Sequence, residues 1–361
     1  MIEARDLVKR IRPYKPGKPI EEVIRELNLK GDVIKLASNE NPLGTSPLAI
    51  KAMQKAINEC FLYPDDNCCK LRNVLARRFQ VDPEATIIGN GSVEILLLAA
   101  LAYLDPADSA ITSEGAFIWF KIAVSIAGAR LIEVPMKHYT HDLKSMLMAV
   151  KKDTKLIYID NPNNPTGTMV TKAEVNDFFR QLPSDVLVIM DEAYYEYISD
   201  PDYPSSFNYF RAGKDMLILR TFSKIYGLAG ARLGYGFAKR EIISNLMKLR
   251  ISFNVNRISQ AAGIAALEDF DHVKQGQEVN EAGKEFLFDV YKRLGLFYLP
   301  TYGNFIFVDF DKNSQIVFEE LQKRGIITRP IKEYGFPNAL RITVGTESQN
   351  RRLIDALKKI I

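Results

Sequence analysis

Short apolar runs at residues 86–88, 110–112, 131–135, 156–159, 187–190 and 216–219 alternate along the chain with helix-length amphipathic segments at 93–103, 119–127, 171–181 and 257–267. Aliphatic runs this short, bounded by turn residues, predict buried strands, and the longer periodic segments between them predict helices. The alternation predicts an α/β fold in which a mostly parallel sheet is covered by helices. Thr171 followed three residues later by Glu174 has the form of a capping box, which places one helix start just after an Asn-Pro-Thr-Gly turn. Beyond about residue 250 the pattern changes: a long charged helix at 271–294 precedes short strands at 305–310 and 340–344, predicting a second, smaller α+β domain. The opening residues, with Pro13, Pro16, Gly17 and Pro19, predict an arm that wraps onto that domain or onto a partner subunit. The expected division is an arm over 1–40, a large domain over 41–250 and a small domain over 251–361.

A chain of 361 residues, 47% apolar and 25% charged, is long enough for a large core with a second domain beside it. Its 48 basic and 44 acidic residues are spread without a run of like charge, so no nucleic-acid arm and no polyanionic partner is implied. No apolar stretch approaches the roughly 18 to 20 residues of a membrane span, and the start lacks the apolar core of a signal peptide. The expected location is the cytoplasm. Cys60, Cys68 and Cys69 cannot build a disulfide framework, and the adjacent pair has neither metal-ligand spacing nor favourable disulfide geometry. His138 and His141 lie close together, but no cysteine or carboxylate cluster completes a metal site. No metal is expected, and both histidines are assigned surface or loop roles.

Candidate chemistry gathers where apolar runs end. After the run 216–219, Thr221-Phe222-Ser223-Lys224 leads through Gly227 and Gly230 to Arg232. The glycines permit close backbone approach, Thr221 and Ser223 can donate to phosphate oxygens, and Arg232 can clamp the same group. Lys224 thus places an amine beside an anion clamp, and a neighbouring cation would lower its pKa so that the free amine can act as base. Asp191 ends the run 187–190 at what would be the carboxyl edge of the sheet, where open α/β folds bind ligands, and Tyr194 follows three residues on. Asn161-Pro162-Asn163-Asn164-Pro165-Thr166-Gly167 follows the run 156–159 as a rigid loop that presents the Asn164 amide. Gly89-Asn90-Gly91-Ser92-Val93-Glu94 is a glycine-rich turn into a helix, whose N–H groups suit an anion. Phe117 could stack on a planar ring, although an aromatic in this setting is more often core.

An amine, an acid for a pyridine nitrogen, donors for a phenolic oxygen and a phosphate cradle are the four requirements of pyridoxal-5′-phosphate (PLP) chemistry. In this order the motifs resemble the fold-type I PLP-dependent aminotransferases, and among them the histidinol-phosphate aminotransferases. The resemblance runs nearly end to end, taking in the segments 33–44 (Val-Ile-Lys-Leu-Ala-Ser-Asn-Glu-Asn-Pro-Leu-Gly), Tyr63-Pro64-Asp65 and 340–346 (Leu-Arg-Ile-Thr-Val-Gly-Thr). It implies that Lys224 is the Schiff-base lysine and proton shuttle, Asp191 the pyridine partner, and Asn164 and Tyr194 the phenolic-oxygen donors. Thr221, Ser223, Arg232 and the amides of Ser92 and Val93 would hold the phosphate. Family members are homodimers in which the tyrosine matching Tyr63 reaches the neighbour's cofactor phosphate. Tyr14, Arg329 and Arg341 match substrate-contacting positions, alongside Asn164. Many members carry Asp or Asn where this chain has Val93, so a side-chain contact in the cradle is lost.

The implied reaction is ping-pong: L-glutamate gives up its amino group and leaves as 2-oxoglutarate, and imidazole-acetol phosphate takes it up as L-histidinol phosphate, a step of histidine biosynthesis. Two guanidiniums suit either a phosphate or a carboxylate, so one pocket can serve both halves. Rival readings are an aromatic or prephenate aminotransferase, a decarboxylase of O-phospho amino acids, and the non-catalytic PLP-binding half of a transcription regulator. The last needs a DNA-binding domain, for which the chain has no room ahead of the motifs.

Overall fold

Every run expected to be a strand forms one in the computed structural model of the chain, which describes residues 2–11, 13 and 17–361. A seven-stranded sheet has the spatial order Thr86–Gly89, Gly234–Phe237, Met216–Thr221, Leu187–Asp191, Thr154–Asp160, Ser109–Ser113, Arg130–Val134. All neighbours pair in parallel except Gly234–Phe237, which is antiparallel to both strands beside it. Side chains alternate between two cores. Ile157, Ile159, Val188, Met190 and Ile218 enter one, with the helices Cys69–Phe79, Lys172–Gln181 and Arg257–Glu268. Leu156, Tyr158, Leu187, Ile189, Leu217 and Leu219 enter the other, with Ser92–Tyr103, Ile118–Ala127 and Arg240–Leu249. Covering on both faces is why the central strands are continuous apolar runs rather than alternating ones.

The capping box forms as expected: Thr171 Oγ1 accepts the Glu174 N–H at 3.3 Å and Glu174 Oε2 accepts the Thr171 N–H at 2.7 Å. The strand Gly234–Phe237 was not foreseen, because two of its four residues are glycine and glycine weakens a strand signal. Gly234 is nevertheless required. A Cβ there would lie 2.2 Å from the Ser92 nitrogen, so its absence lets the turn before helix Ser92–Tyr103 press against the sheet.

A second body is built on the antiparallel order Arg329–Ile331, Phe336–Thr343, Phe305–Asp309, Phe297–Tyr298, packed against Phe270–Arg293, Ser314–Lys323 and Glu347–Leu357. Ile34–Lys35 pairs in parallel with Ile326–Ile327, and Leu36 is bonded on both sides, its N–H to Ile327 at 2.7 Å and its carbonyl from Thr343 at 2.9 Å. Residues 34–36 are thus tied to this smaller body. Helix Arg257–Glu268, within the 251–361 segment, packs instead on Pro47–Ala56 in the core of the larger body. Among the described residues no helix is long and apolar enough to cross a membrane.

Candidate active site

The strand ends converge on a cavity of about 250 Å³ at the carboxyl edge of the large sheet. Thr86–Gly89 delivers Ser92 and Val93, Ser109–Ser113 delivers Phe117, Thr154–Asp160 delivers Asn164, Leu187–Asp191 delivers Asp191 and Tyr194, and Met216–Thr221 delivers Thr221, Ser223, Lys224 and Arg232. All of these line the cavity. Parallel strands place their carboxyl ends together, so residues spread over 140 positions of sequence meet here.

Asp191 forms the floor. It is 4% exposed and accepts hydrogen bonds from the Tyr158 hydroxyl (3.0 Å) and the Ala193 N–H (3.1 Å). Burial, and then the negative charge of nearby Asp160, push its carboxyl up to about 7. Lys224 is partly buried, its Nζ donating to the Ser38 carbonyl at 3.1 Å and lying 5.6 Å from the centre of the Tyr194 ring. Burial, and then the guanidinium of Arg341, pull its amine down to about 7, with Arg232 adding to the same effect. The acid and the base are thus shifted toward each other by the same desolvation acting on opposite charges.

Tyr194 is buried, and its hydroxyl oxygen faces two amide donors, Asn39 Nδ2 at 2.8 Å and Asn164 Nδ2 at 3.2 Å. Burial pushes the phenol up to about 12, so it remains a proton donor throughout the physiological range. Asn164 is held from three sides: its N–H donates to Asp160 Oδ2 (2.8 Å), its Nδ2 to Tyr194, and its Oδ1 accepts from Arg341 Nη1 (2.6 Å). Arg341, buried and carried by strand Phe336–Thr343, also donates to the Ala37 carbonyl at 2.5 Å, and its Nε has no hydrogen-bond partner among the described residues.

Opposite the floor is a cradle. Helix Ser92–Tyr103 starts behind Gly91, whose φ of 80° favours glycine. A Cβ on Gly91 would stand 2.4 Å from Arg232 Nη2, so the missing side chain is what lets the guanidinium lie over the turn. Thr221 Oγ1 accepts the Ser223 N–H at 3.1 Å, which orders the loop between strand and lysine.

The remaining candidates lie elsewhere. Tyr63 is 79% exposed, stacks on Phe253 with ring centres 4.7 Å apart, and does not line the cavity. Arg329 is paired in register with Arg341 across neighbouring strands but lines a different, larger hollow and forms an ion pair with Glu333. Tyr14 lies outside the described residues.

His141, expected on the surface or in a loop, lies in a loop but is buried: it is 3% exposed, with Nε2 2.9 Å from Asp160 Oδ1 and Nδ1 2.7 Å from Ser113 Oγ. It braces the carboxylate that holds Asn164. Its signal, one histidine between polar residues, is the same for a buried loop as for an exposed one. Tyr158 and Asp160 were also missed, hidden at the end of an apolar run.

The residues present fit PLP. Asp191 is a buried acid bonded only by neutral donors, ready for a cationic ring nitrogen. Tyr194 and Asn164 offer a hydroxyl and an amide that a phenolic oxygen could use, an amine of lowered pKa lines the same space, and the glycine-shaped cradle carries Arg232, Thr221 and helix N–H groups that suit a phosphate.

Comparison with known proteins agrees with this geometry. Residues 31–357 match the family described as aminotransferase class I and II. The histidinol-phosphate aminotransferase of Moorella thermoacetica is 48% identical over 99% of this chain and 93% of that protein. That of Caldicellulosiruptor saccharolyticus is 43% identical over 99% of each. Among solved structures, the histidinol-phosphate aminotransferase of Sinorhizobium meliloti, in complex with pyridoxal-5′-phosphate, superposes with a TM-score of 0.91 and 28% identity, covering 100% of this chain and 98% of that one.

Proposed function

Because the chain belongs to the class I and II aminotransferases, we propose that it transfers an amino group between L-glutamate and imidazole-acetol phosphate, forming 2-oxoglutarate and L-histidinol phosphate. PLP is the cofactor. The observation that carries the reading is the placement of Lys224, Asp191, Tyr194 and Asn164 around one cavity with Arg341 bonded to its edge.

When bound, PLP supplies an electron sink for the charge left behind as a proton departs from the substrate Cα. The protein does the rest. Asp191 holds the ring nitrogen by charge, Tyr194 and Asn164 hold the phenolic oxygen, Phe117 covers the ring, and Thr221, Ser223, Arg232 and the Ser92 and Val93 amides hold the phosphate. Lys224, whose amine is pulled down to about 7, would take the Cα proton and return it across the transferred nitrogen, to the carbon on its other side. Arg341, bonded to Asn164 at the edge of the cavity, would meet the anionic end of either substrate. Arg329, which lines the neighbouring hollow, and Tyr14 are candidates for further substrate contacts by family resemblance.

The enzyme works as a cytoplasmic homodimer. An exposed apolar band (Phe61, Leu62, Tyr63, Ile251 and Phe253) supports this reading, as does Tyr63 lying outside its own chain's cavity, where it can reach a neighbour's cofactor phosphate. Residues 1–40 form the arm, 41–250 the cofactor-binding body and 251–361 the smaller one, with Arg257–Glu268 seated on the larger.

The test is a single-turnover absorbance assay on the PLP form, adding L-histidinol phosphate, L-phenylalanine or L-glutamate. Faster conversion to the pyridoxamine form by histidinol phosphate than by phenylalanine is expected. Equal or faster conversion by phenylalanine would replace this substrate with an aromatic one.

A further inference from the structure

Asn39 does not line the cavity, yet it is 1% exposed and bonded in every direction. Its N–H donates to Thr343 Oγ1 at 2.9 Å, its carbonyl accepts from Asn304 Nδ2 at 3.0 Å, and its φ of 57° lies in the left-handed region that non-glycine residues seldom adopt. Thr343 Oγ1 accepts the Asn39 N–H and donates to Asn39 Oδ1 at 3.1 Å, and the Nδ2 end of the same amide faces Tyr194 at 2.8 Å. Asn164 is fixed by its partner: arginine has no acceptor, so the oxygen end of the amide meets Arg341 and the nitrogen end meets Tyr194.

The Tyr194 oxygen thus receives two amide donors, Asn39 and Asn164. A phenol has one proton and two acceptor sites. With both acceptor sites filled by Asn39 and Asn164, the proton cannot point at either amide, and the direction left is the cavity that Tyr194 lines.

We propose that Asn39 is a positioning residue for the reaction: locked by Thr343, its amide fills one acceptor site of the Tyr194 hydroxyl and directs the tyrosine's proton into the cavity. The inference rests on the reading that Tyr194 meets the phenolic oxygen of the cofactor. It also joins the two bodies. Thr343 belongs to the small sheet and Tyr194 to the large one, while the residues just before Asn39 reach the site too, Ala37 through Arg341 and Ser38 through Lys224.

A donor to the phenolic oxygen favours the more negative, deprotonated form of the bound chromophore, so weakening that donor raises the pH midpoint of the holoenzyme's visible absorbance. Two variants test Asn39. Asn39→Gly accepts the left-handed backbone and removes the amide, whereas Asn39→Asp keeps the shape and puts an oxygen where the donor was. Each is titrated in the wild-type and the Tyr194→Phe background, with the melting temperature of the cofactor-free protein as a measure of folding. Lys224, Arg341, Asp160 and Asp191, the charged groups around Tyr194, are unchanged by Asn39→Gly, so the comparison between backgrounds is read from that variant, whereas Asn39→Asp adds a carboxylate of its own.

The expected result is a midpoint raised by roughly half to one pH unit in Asn39→Gly, the worth of one neutral hydrogen bond, and raised further in Asn39→Asp. Asn39→Gly should not add to the rise already caused by Tyr194→Phe, whereas the charge of Asn39→Asp adds in either background. Equal rises in both backgrounds for Asn39→Gly, or no rise in Asn39→Gly where Tyr194→Phe alone produces one, would overturn the role of Asn39 while leaving the site intact. If Tyr194→Phe does not move the midpoint, the reading of Tyr194 fails and the inference falls with it.

Discussion

Asp191→Asn should make the cofactor-free protein more stable and the enzyme nearly inactive. The carboxyl is 4% exposed and is pushed from an ordinary 3.8 up to about 7, chiefly by burial and then by Asp160. Three decades of proton affinity at 1.36 kcal/mol each set an upper figure of about 4 kcal/mol for what the ionised group costs the fold. Local relaxation reduces this, and about 2 kcal/mol is the working expectation. An asparagine keeps the shape and can still pair with the Tyr158 hydroxyl and the Ala193 N–H. The sign follows from linkage. The folded-state pKa is raised, so below about 3.8 the group is protonated in both states and the variant has no advantage. The advantage grows as pH rises from there to about 7 and is constant above. Thermal melts of both cofactor-free proteins across pH 4 to 8 measure it. Turnover of the loaded variant should fall on the order of 10²-fold, because an amide cannot balance a cationic ring nitrogen. A variant that melts no higher than wild type at pH 7.5, or whose advantage is as large at pH 4, would refute the assignment of the cost to the buried carboxylate.

Gly91→Ala sets a methyl group 2.4 Å from Arg232 Nη2 in a backbone with φ of 80°, so cofactor retention on dilution should drop severalfold or more while the helix behind it survives; unchanged retention would remove Gly91 from the cradle. Mixing Lys224→Ala with Tyr63→Ala protomers should restore activity, since each mixed dimer regains one site with both side chains intact; no recovery would mean that Tyr63 serves its own chain. Arg341→Gln removes the positive charge that is the second cause of the low Lys224 pKa, so the pH midpoint for condensation of Lys224 with added PLP should rise, though not to 10.5, because burial remains the larger cause. An unmoved or lowered midpoint would contradict that origin.

What was legible in the sequence was what is local. Leu187–Asp191 and Met216–Thr221 are buried residue by residue, so they appear as apolar runs, and Asp191 and Lys224 could be found because the first follows its run directly and the second lies in the loop just after its run. Gly234–Phe237 escaped because the contact that demands Gly234 is with Ser92, far away in sequence. Contacts between distant segments were hidden for the same reason. Asn39 bonds Thr343 across 304 positions, Arg341 bonds Asn164 across 177, and neither pairing leaves a periodic or spacing signal. The burial of His141 went unseen because nothing in its neighbourhood reveals that its loop meets Asp160 at the end of strand Thr154–Asp160.

These long-range bonds share a direction. Arg341, Thr343 and the strap 37–39 are all tied to the smaller body, and they end on Asn164, Lys224 and Tyr194 of the larger one. Each large-body group is fixed at its base by its own strand end but receives its final contact from the small body. Lys224 owes part of its lowered pKa to Arg341, and the proton direction at Tyr194 depends on Asn39. Any displacement of the small body would therefore loosen the base and the donor together, before touching Asp191, whose bonds come from Tyr158 and Ala193 of the large body. The site divides accordingly: the floor that holds the ring nitrogen is built in, and the groups that move protons are completed by the docking of the second body.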